Sequence, residues 1–576
     1  MTAETLATGV GQRARHRFGS VDPSLLVLAA TSILLVLLIG LPVGWLAYYA
    51  LTDRAGAATF GNFITLATDP AFTEPLATTL ILCVSVAVAA ATVASPIAWL
   101  IARTDLPARR TIRALMTASF VTPPFLGAIA WEILAAPNSG ILNQLWRGLT
   151  SSPDPLLDIY SLPGLIFVIA CYTTPYVFVL VANALDRIPA DLEDAAGILG
   201  ASRWRTTITV TIPLVVPAIL AGALIAFLQA MTLFGSPAIL ALPAGFHTVT
   251  TKIYSFFHFP PKPQLAAAAA LPLLVITIML LVAQARVLGR RGYTVIGGKS
   301  GDPRRLALGR FRTPALILVL CVLSLPLMLP YAALLKASVS SFPGAPFTAE
   351  HLTWRHINFV FVEFSQTKKA FWNTLVLAVG TATLGTMLAL VISYLTARRA
   401  VPGSRFLEFL ATAPVAIPGI VLGVGLFLAY TRPPLALYGT LWILLLAFLT
   451  IELPVAFQQL RSSFHAVHPE LEEASRILGA GRLKTLARIT APLLKSGVVA
   501  AWCFIFIGVV RELSAAIMLF TANTKVLSVV IYDLNESGDL GAIAVLGTVM
   551  LLITFAVVGF ANWISGVGSG VRLRGG

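Results

Sequence analysis

Charge is scarce in this chain: 11% of its 576 residues are Asp, Glu, Lys or Arg and 57% are hydrophobic, whereas an ordinary soluble domain is about 25% charged. That deficit excludes a water-soluble globular protein and leaves an integral membrane protein, with apolar runs of about 20 residues, long enough to cross a bilayer core. Cysteine is scarce too. Cys83, Cys171, Cys321 and Cys503 each fall inside an apolar run without ligand-like spacing. This excludes a disulfide framework or a zinc site and makes them small core residues. Acidic residues number 25 against 40 basic ones, a net charge of +15. The basic residues are scattered between apolar runs, so the excess reads as a positive-inside bias, and no nucleic-acid partner is expected. No nucleophile–base constellation or metal-ligand cluster is apparent, so no enzyme activity is expected either. A complete nucleotide-binding loop is also lacking. Gly298-Lys299-Ser300 matches the end of one, but Tyr293 stands where its first glycine is required and no strand precedes it. Energy for transport would therefore come from a separate ATPase or from an ion gradient.

What the chain does have is repetition. Leu192 to Pro213 reads LEDAAGILGASRWRTTITVTIP, and Leu471 to Pro492 reads LEEASRILGAGRLKTLARITAP. Glu193 and Glu472, Gly200 and Gly479, and Pro213 and Pro492 are each 279 positions apart. Within these polar islands Leu192, Ala195, Ala196 and Leu199, or Leu471, Ala474, Ser475 and Leu478, recur at helical spacing and predict a short amphipathic helix. Gly200 and Gly479 stop it, Ser202 can N-cap a second segment, and the proline opens the next apolar span. Small residues on the stripe leave room for another protein's surface. The acidic pairs Glu193/Asp194 and Glu472/Glu473 offer carboxylates to basic partners. The plainer alternative is an amphipathic loop lying on lipid headgroups.

The islands resemble the EAA loops of binding-protein-dependent ABC importer permeases, whose pattern is Glu-Ala-Ala, three residues, Gly, nine residues, then Ile-x-Leu-Pro. The first copy reads Asp194-Ala195-Ala196, Gly200 and Val210-Thr211-Ile212-Pro213; the second reads Glu473-Ala474-Ser475, Gly479 and Ile489-Thr490-Ala491-Pro492. Asp194, Ser475 and Ala491 depart from the pattern, while the spacing is intact. The resemblance implies that each loop, with Glu193, Asp194, Ala195, Ala196 and Gly200 or Glu472, Glu473, Ala474, Ser475 and Gly479, couples to a cleft in a cytoplasmic ATPase subunit. Two copies of that subunit are implied, with ATP and Mg bound there and no cofactor or metal on this chain.

Apolar runs near 25–51, 76–102, 112–136, 162–185, 211–232 and 265–285, then near 314–335, 371–396, 406–430, 436–460, 491–521 and 540–566, make six spans in each half. With residues 1–24 cytoplasmic and read as an uncleaved start, strict alternation puts both islands on one side. Of the 40 Lys and Arg, 29 fall on that side and ten on the other, the bias expected of cytoplasmic segments. Thr79-Leu80 and Thr374-Leu375, Ala102-Arg103 and Ala397-Arg398, and Pro123 and Pro418 match at an offset of 295. The halves therefore read as parallel repeats, suited to a pseudo-two-fold axis along the membrane normal with a pore between them. The expected organisation is a cytoplasmic tail 1–24, a first module 25–285, a basic linker 286–313, a second module 314–566 and a cytoplasmic tail 567–576.

Glu132, Glu452, Arg511 and Glu512 lie within or near the ends of apolar runs, where an ionised group costs a few kcal/mol unless paired or hydrated. Arg511 and Glu512 are the candidates for a translocation path or gate; a structural ion pair is the alternative. The stretches Phe234 to Tyr254 and Arg511 to Gly547, each with an Ile-Tyr (Ile253-Tyr254, Ile531-Tyr532), look like segments of fused two-module permeases of the ferric iron importer group. That likeness implies an all-α, MetI-like type I importer fold of about 12 transmembrane helices in a bacterial inner membrane, surrounded by lipid and fed by an extracytoplasmic binding protein. Ferric iron is the substrate it implies first, and thiamine, polyamines or phosphonates are alternatives. An ion-coupled secondary transporter using Glu132, Glu452 or Glu512 is the rival reading.

Overall fold

The structure, a computed structural model, describes residues 23–289, 305–346, 348–397, 403–468 and 470–564. Residues 1–22 of the expected tail 1–24, the expected tail 567–576, and Gly298-Lys299-Ser300 within the expected linker lie outside the described residues. Those residues form helices and connecting turns, with three isolated β-bridges. Among the described residues ten helices are long and apolar enough to cross a membrane, and two bent pairs raise the candidate spans to twelve. The chain is therefore a multi-pass, all-α membrane protein.

The third and ninth apolar runs read as straight spans in the sequence, but each is sharply bent. Arg109–Val121 meets Pro124–Ala135 at 100°, and Ser404–Ala416 meets Gly419–Tyr430 at 106°. Pro123 and Pro418, matched in the repeat, hold extended backbone at the corner (ψ 130° and 142°), where a proline cannot supply the hydrogen bond that would continue the helix. The leg before each bend is amphipathic and suited to the membrane surface. The run expected at 491–521 also breaks. Its helix ends at Arg511, and the Glu512 carboxylate accepts from the Ala515 amide at 2.9 Å, starting a separate turn.

Both halves pack in the same way. In the first, Pro70–Arg103, Leu162–Asp186 and Ile212–Thr232 contact one another; in the second, Ser365–Ala397, Leu441–Ala466 and Ala491–Arg511 do so. The approach is close enough at Gly222 that a Cβ there would lie 2.9 Å from the Val177 Cα, the small-residue packing that lets membrane helices meet without a hydrophobic driving force. The halves also exchange helices. Pro23–Ala50 packs on Gly419–Tyr430 of the second half, and Leu329–Val339 packs on Pro124–Ala135 of the first. This reciprocity is what an axis relating parallel repeats requires.

Arg103 closes the second span by donating to the carbonyls of Leu185 (2.7 Å) and Ile188 (3.1 Å), at the end of the fourth. These two spans finish on one face, so the bent pair between them carries the chain across. Tyr394 and Phe464, late in the eighth and tenth spans, sit 6.2 Å apart, with the same consequence for the second bent pair. Leu28, near the start of the first span, lies beside Gly403 at the start of that pair, and so the two islands share one face.

Candidate functional site

Each island folds as a short helix, a glycine turn and a second helix. Ala190–Ile198 and Glu470–Ile477 are the short helices. Gly200 and Gly479 follow with φ of +82° and +83°, and Ala201 and Ala480 donate back to the carbonyls of Ala196 (3.0 Å) and Ser475 (3.1 Å), the closure that satisfies a helix end through a left-handed residue. Ser202 caps the next segment, its hydroxyl accepting from the Arg205 amide at 3.3 Å. That segment does not stop at the proline. It runs through one wide turn, Thr207–Thr211 or Leu486–Thr490, straight into the span. Pro213 and Pro492 lack the amide that a regular turn would use, so the helix widens there.

The acidic residues behave differently from the expectation that both pairs offer carboxylates outward. Glu193 Oε1 accepts from the Thr211 hydroxyl at 2.8 Å, and its Oε2 lies 3.4 Å from the Arg103 guanidinium. Glu472 is 6% exposed and accepts from the Thr490 hydroxyl at 3.1 Å. Each glutamate thus pins its short helix to the start of the following span. Arg103, 1% exposed, ties that anchor to the ends of the second and fourth spans. Ser475 is also turned inward, its hydroxyl 2.9 Å from that of Thr485. Ala195, Ala474 and Glu473 are exposed, and Asp194 and Ala196 are half-buried.

The apolar residues point outward instead. Ile198 and Leu199 are both 87% exposed, and Ile477 and Leu478 are 85% and 87% exposed. The helical stripe read from sequence includes Leu199 and Leu478 but omits Ile198 and Ile477, because the left-handed glycine turns the end of the helix away from regular spacing. Two bare Ile-Leu pairs on one face of a membrane protein form a matched pair of footholds.

Beside the first island Leu306 pairs with Thr104 in a parallel bridge, its amide donating to the Arg103 carbonyl at 2.8 Å. A cavity of about 660 Å3 opens there, lined by Trp99, Arg103, Glu193, Asp194, Arg305 and Leu306.

Arg511 and Glu512 are brought to a second cavity of about 170 Å3 between the halves. Phe120, Tyr176 and Gln229 line it from the first half, and Ile451 and Ser514 from the second. Arg511 donates to the Phe120 carbonyl across the halves. The repeat places Thr232 and Leu233 where the second half has Arg511 and Glu512. Thr250 donates to the Leu233 carbonyl at 2.9 Å just as Ser528 donates to that of Glu512 at 2.7 Å. Glu452 does not line this cavity; it packs against Gly508, where a Cβ would meet its carboxyl. Glu132 lies apart, accepting from the Tyr160 hydroxyl at 2.7 Å. Burial and that carboxylate both push the Tyr160 hydroxyl upward in pKa.

Residues 94–292 and 382–566 match the family described as "binding-protein-dependent transport system inner membrane component". The chain is 28% identical over 454 residues to the ferric transport system permease protein FbpB of Actinobacillus pleuropneumoniae, covering 77% of this chain and 64% of that one. It is 23% identical over 516 residues to the Fe(3+)-transport system permease protein FbpB 2 of Haemophilus influenzae, covering 88% and 93%. A shorter match, 28% over 154 residues and 27% of this chain (58% of the relative), is to the putative 2-aminoethylphosphonate transport system permease protein PhnV of Salmonella paratyphi A. Among solved structures, a bacterial alginate ABC transporter aligns with 17% identity and a TM-score of 0.39, over 47% of this chain and 96% of that one.

Proposed function

Because the chain belongs to the family of binding-protein-dependent transport system inner membrane components, we propose that it carries both membrane modules of an ATP-binding cassette importer. The observation that carries this reading is the pair of exposed Ile-Leu footholds, Ile198-Leu199 and Ile477-Leu478, on one face and each anchored by a glutamate. Two copies of a cytoplasmic ATPase seat on them and bind ATP with Mg. Their closure draws the footholds together and rocks the halves about the cavity at Arg511 and Glu512, so that it opens to one side and then the other. The footholds, and with them both chain ends, lie in the cytoplasm, and a binding protein delivers cargo to the opposite face.

Ferric iron is the cargo this reading favours. The likeness to ferric permeases runs over most of the chain, whereas that to a phosphonate permease covers 27% of it. The test is reconstitution in liposomes with the ATPase and the binding protein. Iron uptake should require ATP, and none should follow from an ion gradient alone; gradient-driven uptake without nucleotide would overturn the reading.

A further inference from the structure

The Ile-Tyr repeated outside the islands comes together in space. The short helices Val249–Ser255 and Leu527–Glu536 are fastened to their halves by equivalent bonds: the Val249 amide donates to Thr79 Oγ1 at 2.9 Å and the Leu527 amide to Thr374 Oγ1 at 2.8 Å. Thr79 and Thr374 lie near the starts of spans that end on the island face, so this pair of helices sits toward the opposite face. Tyr254 and Tyr532 consequently meet across the axis, their rings perpendicular with centroids 6.4 Å apart and both against Phe234.

One helical turn beyond each tyrosine stands a second donor. The His258 ring is 4.9 Å from that of Tyr254, and the Glu536 carboxylate lies close enough to the Tyr532 phenol to raise its pKa. Tyr532 is 2% exposed and Tyr254 half-buried, whereas His258 and Glu536 are exposed. Asn535, on the same turn, has a buried Oδ1 without a hydrogen-bond partner. Aromatic packing alone calls for none of these polar atoms. Among the described residues no three of His, Cys, Asp and Glu gather as metal ligands. The phenols add hard oxygen donors to the carboxylate of Glu536.

We propose that Tyr254, Tyr532, His258 and Glu536 form a receiving site for a small trivalent cation, ferric iron, at the mouth of the path opposite the footholds. Oxygen and imidazole donors suit a hard, highly charged ion. The proposal rests on ferric iron being the cargo. Without the ion both phenols keep their protons: burial first, then the charges of Glu536 and Asp533, push Tyr254 up to about 12, and burial and Glu536 raise Tyr532 further. Asp533 is itself paired with Lys525 at 2.6 Å. Binding replaces each O–H bond by an oxygen–iron bond, and the two protons leave to water.

The full-length chain, purified in detergent, is titrated with ferric nitrilotriacetate and read for the visible phenolate-to-iron absorption band. The wild type should develop the band, Tyr254→Phe and Tyr532→Phe should each weaken it, and the double variant should lose it. His258→Ala and Glu536→Gln, at exposed positions, should weaken apparent affinity about tenfold or more with thermal unfolding unchanged. A band that fails to appear, or that survives in the double variant, overturns the site. Iron uptake by the reconstituted transporter is measured in parallel. Uptake without a band removes the site and keeps the cargo reading; a tyrosine-dependent band without iron uptake keeps the site and removes the cargo reading.

Discussion

Thr211 donates its hydroxyl to Glu193 at 2.8 Å, and the same bond recurs 279 positions later, where Thr490 donates to Glu472 at 3.1 Å. In both halves the bond joins the short exposed helix to the first turn of a span. A displacement of the foothold is thereby passed to the membrane helix rather than absorbed in a loop.

Replacing either threonine by valine removes a hydrogen bond to a charged group, worth about 1.5–3 kcal/mol. Thr211→Val and Thr490→Val should speed hydrogen exchange in 190–199 and 470–478 respectively, and lower uptake per ATP hydrolysed. Threonine to serine should preserve both.

Gly200 and Gly479 hold φ of +82° and +83° with open space around the position of a Cβ, so only backbone conformation resists substitution. Gly200→Ala and Gly479→Ala should each cost about 1–2 kcal/mol, seen as reduced coupling with normal insertion. Asparagine, which tolerates the left-handed region, should be milder than alanine.

Leu199→Asp and Leu478→Asp change residues that are 87% exposed. Thermal unfolding of the purified chain should therefore shift by less than about 0.5 kcal/mol, while binding of the ATPase is lost at the altered foothold.

Gly508→Ala drives a methyl group into the Glu452 carboxyl, and Gly222→Ala drives one into the Val177 backbone. Each should destabilise by about 1–3 kcal/mol in detergent unfolding curves. Gly148→Ala, with nothing within 4 Å, should be neutral or gain about 0.5–1 kcal/mol as a helical glycine replaced.

Arg511→Ala removes the side-chain hydrogen bond from Arg511 to the Phe120 carbonyl of the other half. Arg511→Ala and Glu512→Ala should lower uptake in reconstituted liposomes while leaving ATPase binding intact. Unchanged uptake and coupled ATPase rates in both variants would remove these residues from the path.

Much of the fold was legible because membrane helices announce themselves by length and apolarity, and because the repeat is spaced evenly enough to align Gly200 with Gly479 and Pro123 with Pro418. The Ser202 cap was legible from residue type alone. The bends were not: an apolar run looks the same straight or folded through 100°, and the amphipathic leg 109–118 merges into the apolar leg 124–135. The inward turn of Glu193 was hidden because its partners, Arg103 and Thr211, lie 90 residues before it and 18 after it. The Ile-Tyr repeat was visible as letters, but the meeting of Tyr254 and Tyr532 depends on the axis between the halves.

The central claim is that two footholds on one face seat two ATPase subunits. The most direct measurement is in-cell photo-crosslinking from a probe placed at Leu199 or at Leu478, with each adduct identified by mass spectrometry. The account predicts the same ATP-binding cassette subunit captured from both positions. Capture from only one position, or of no ATPase from either, would contradict it.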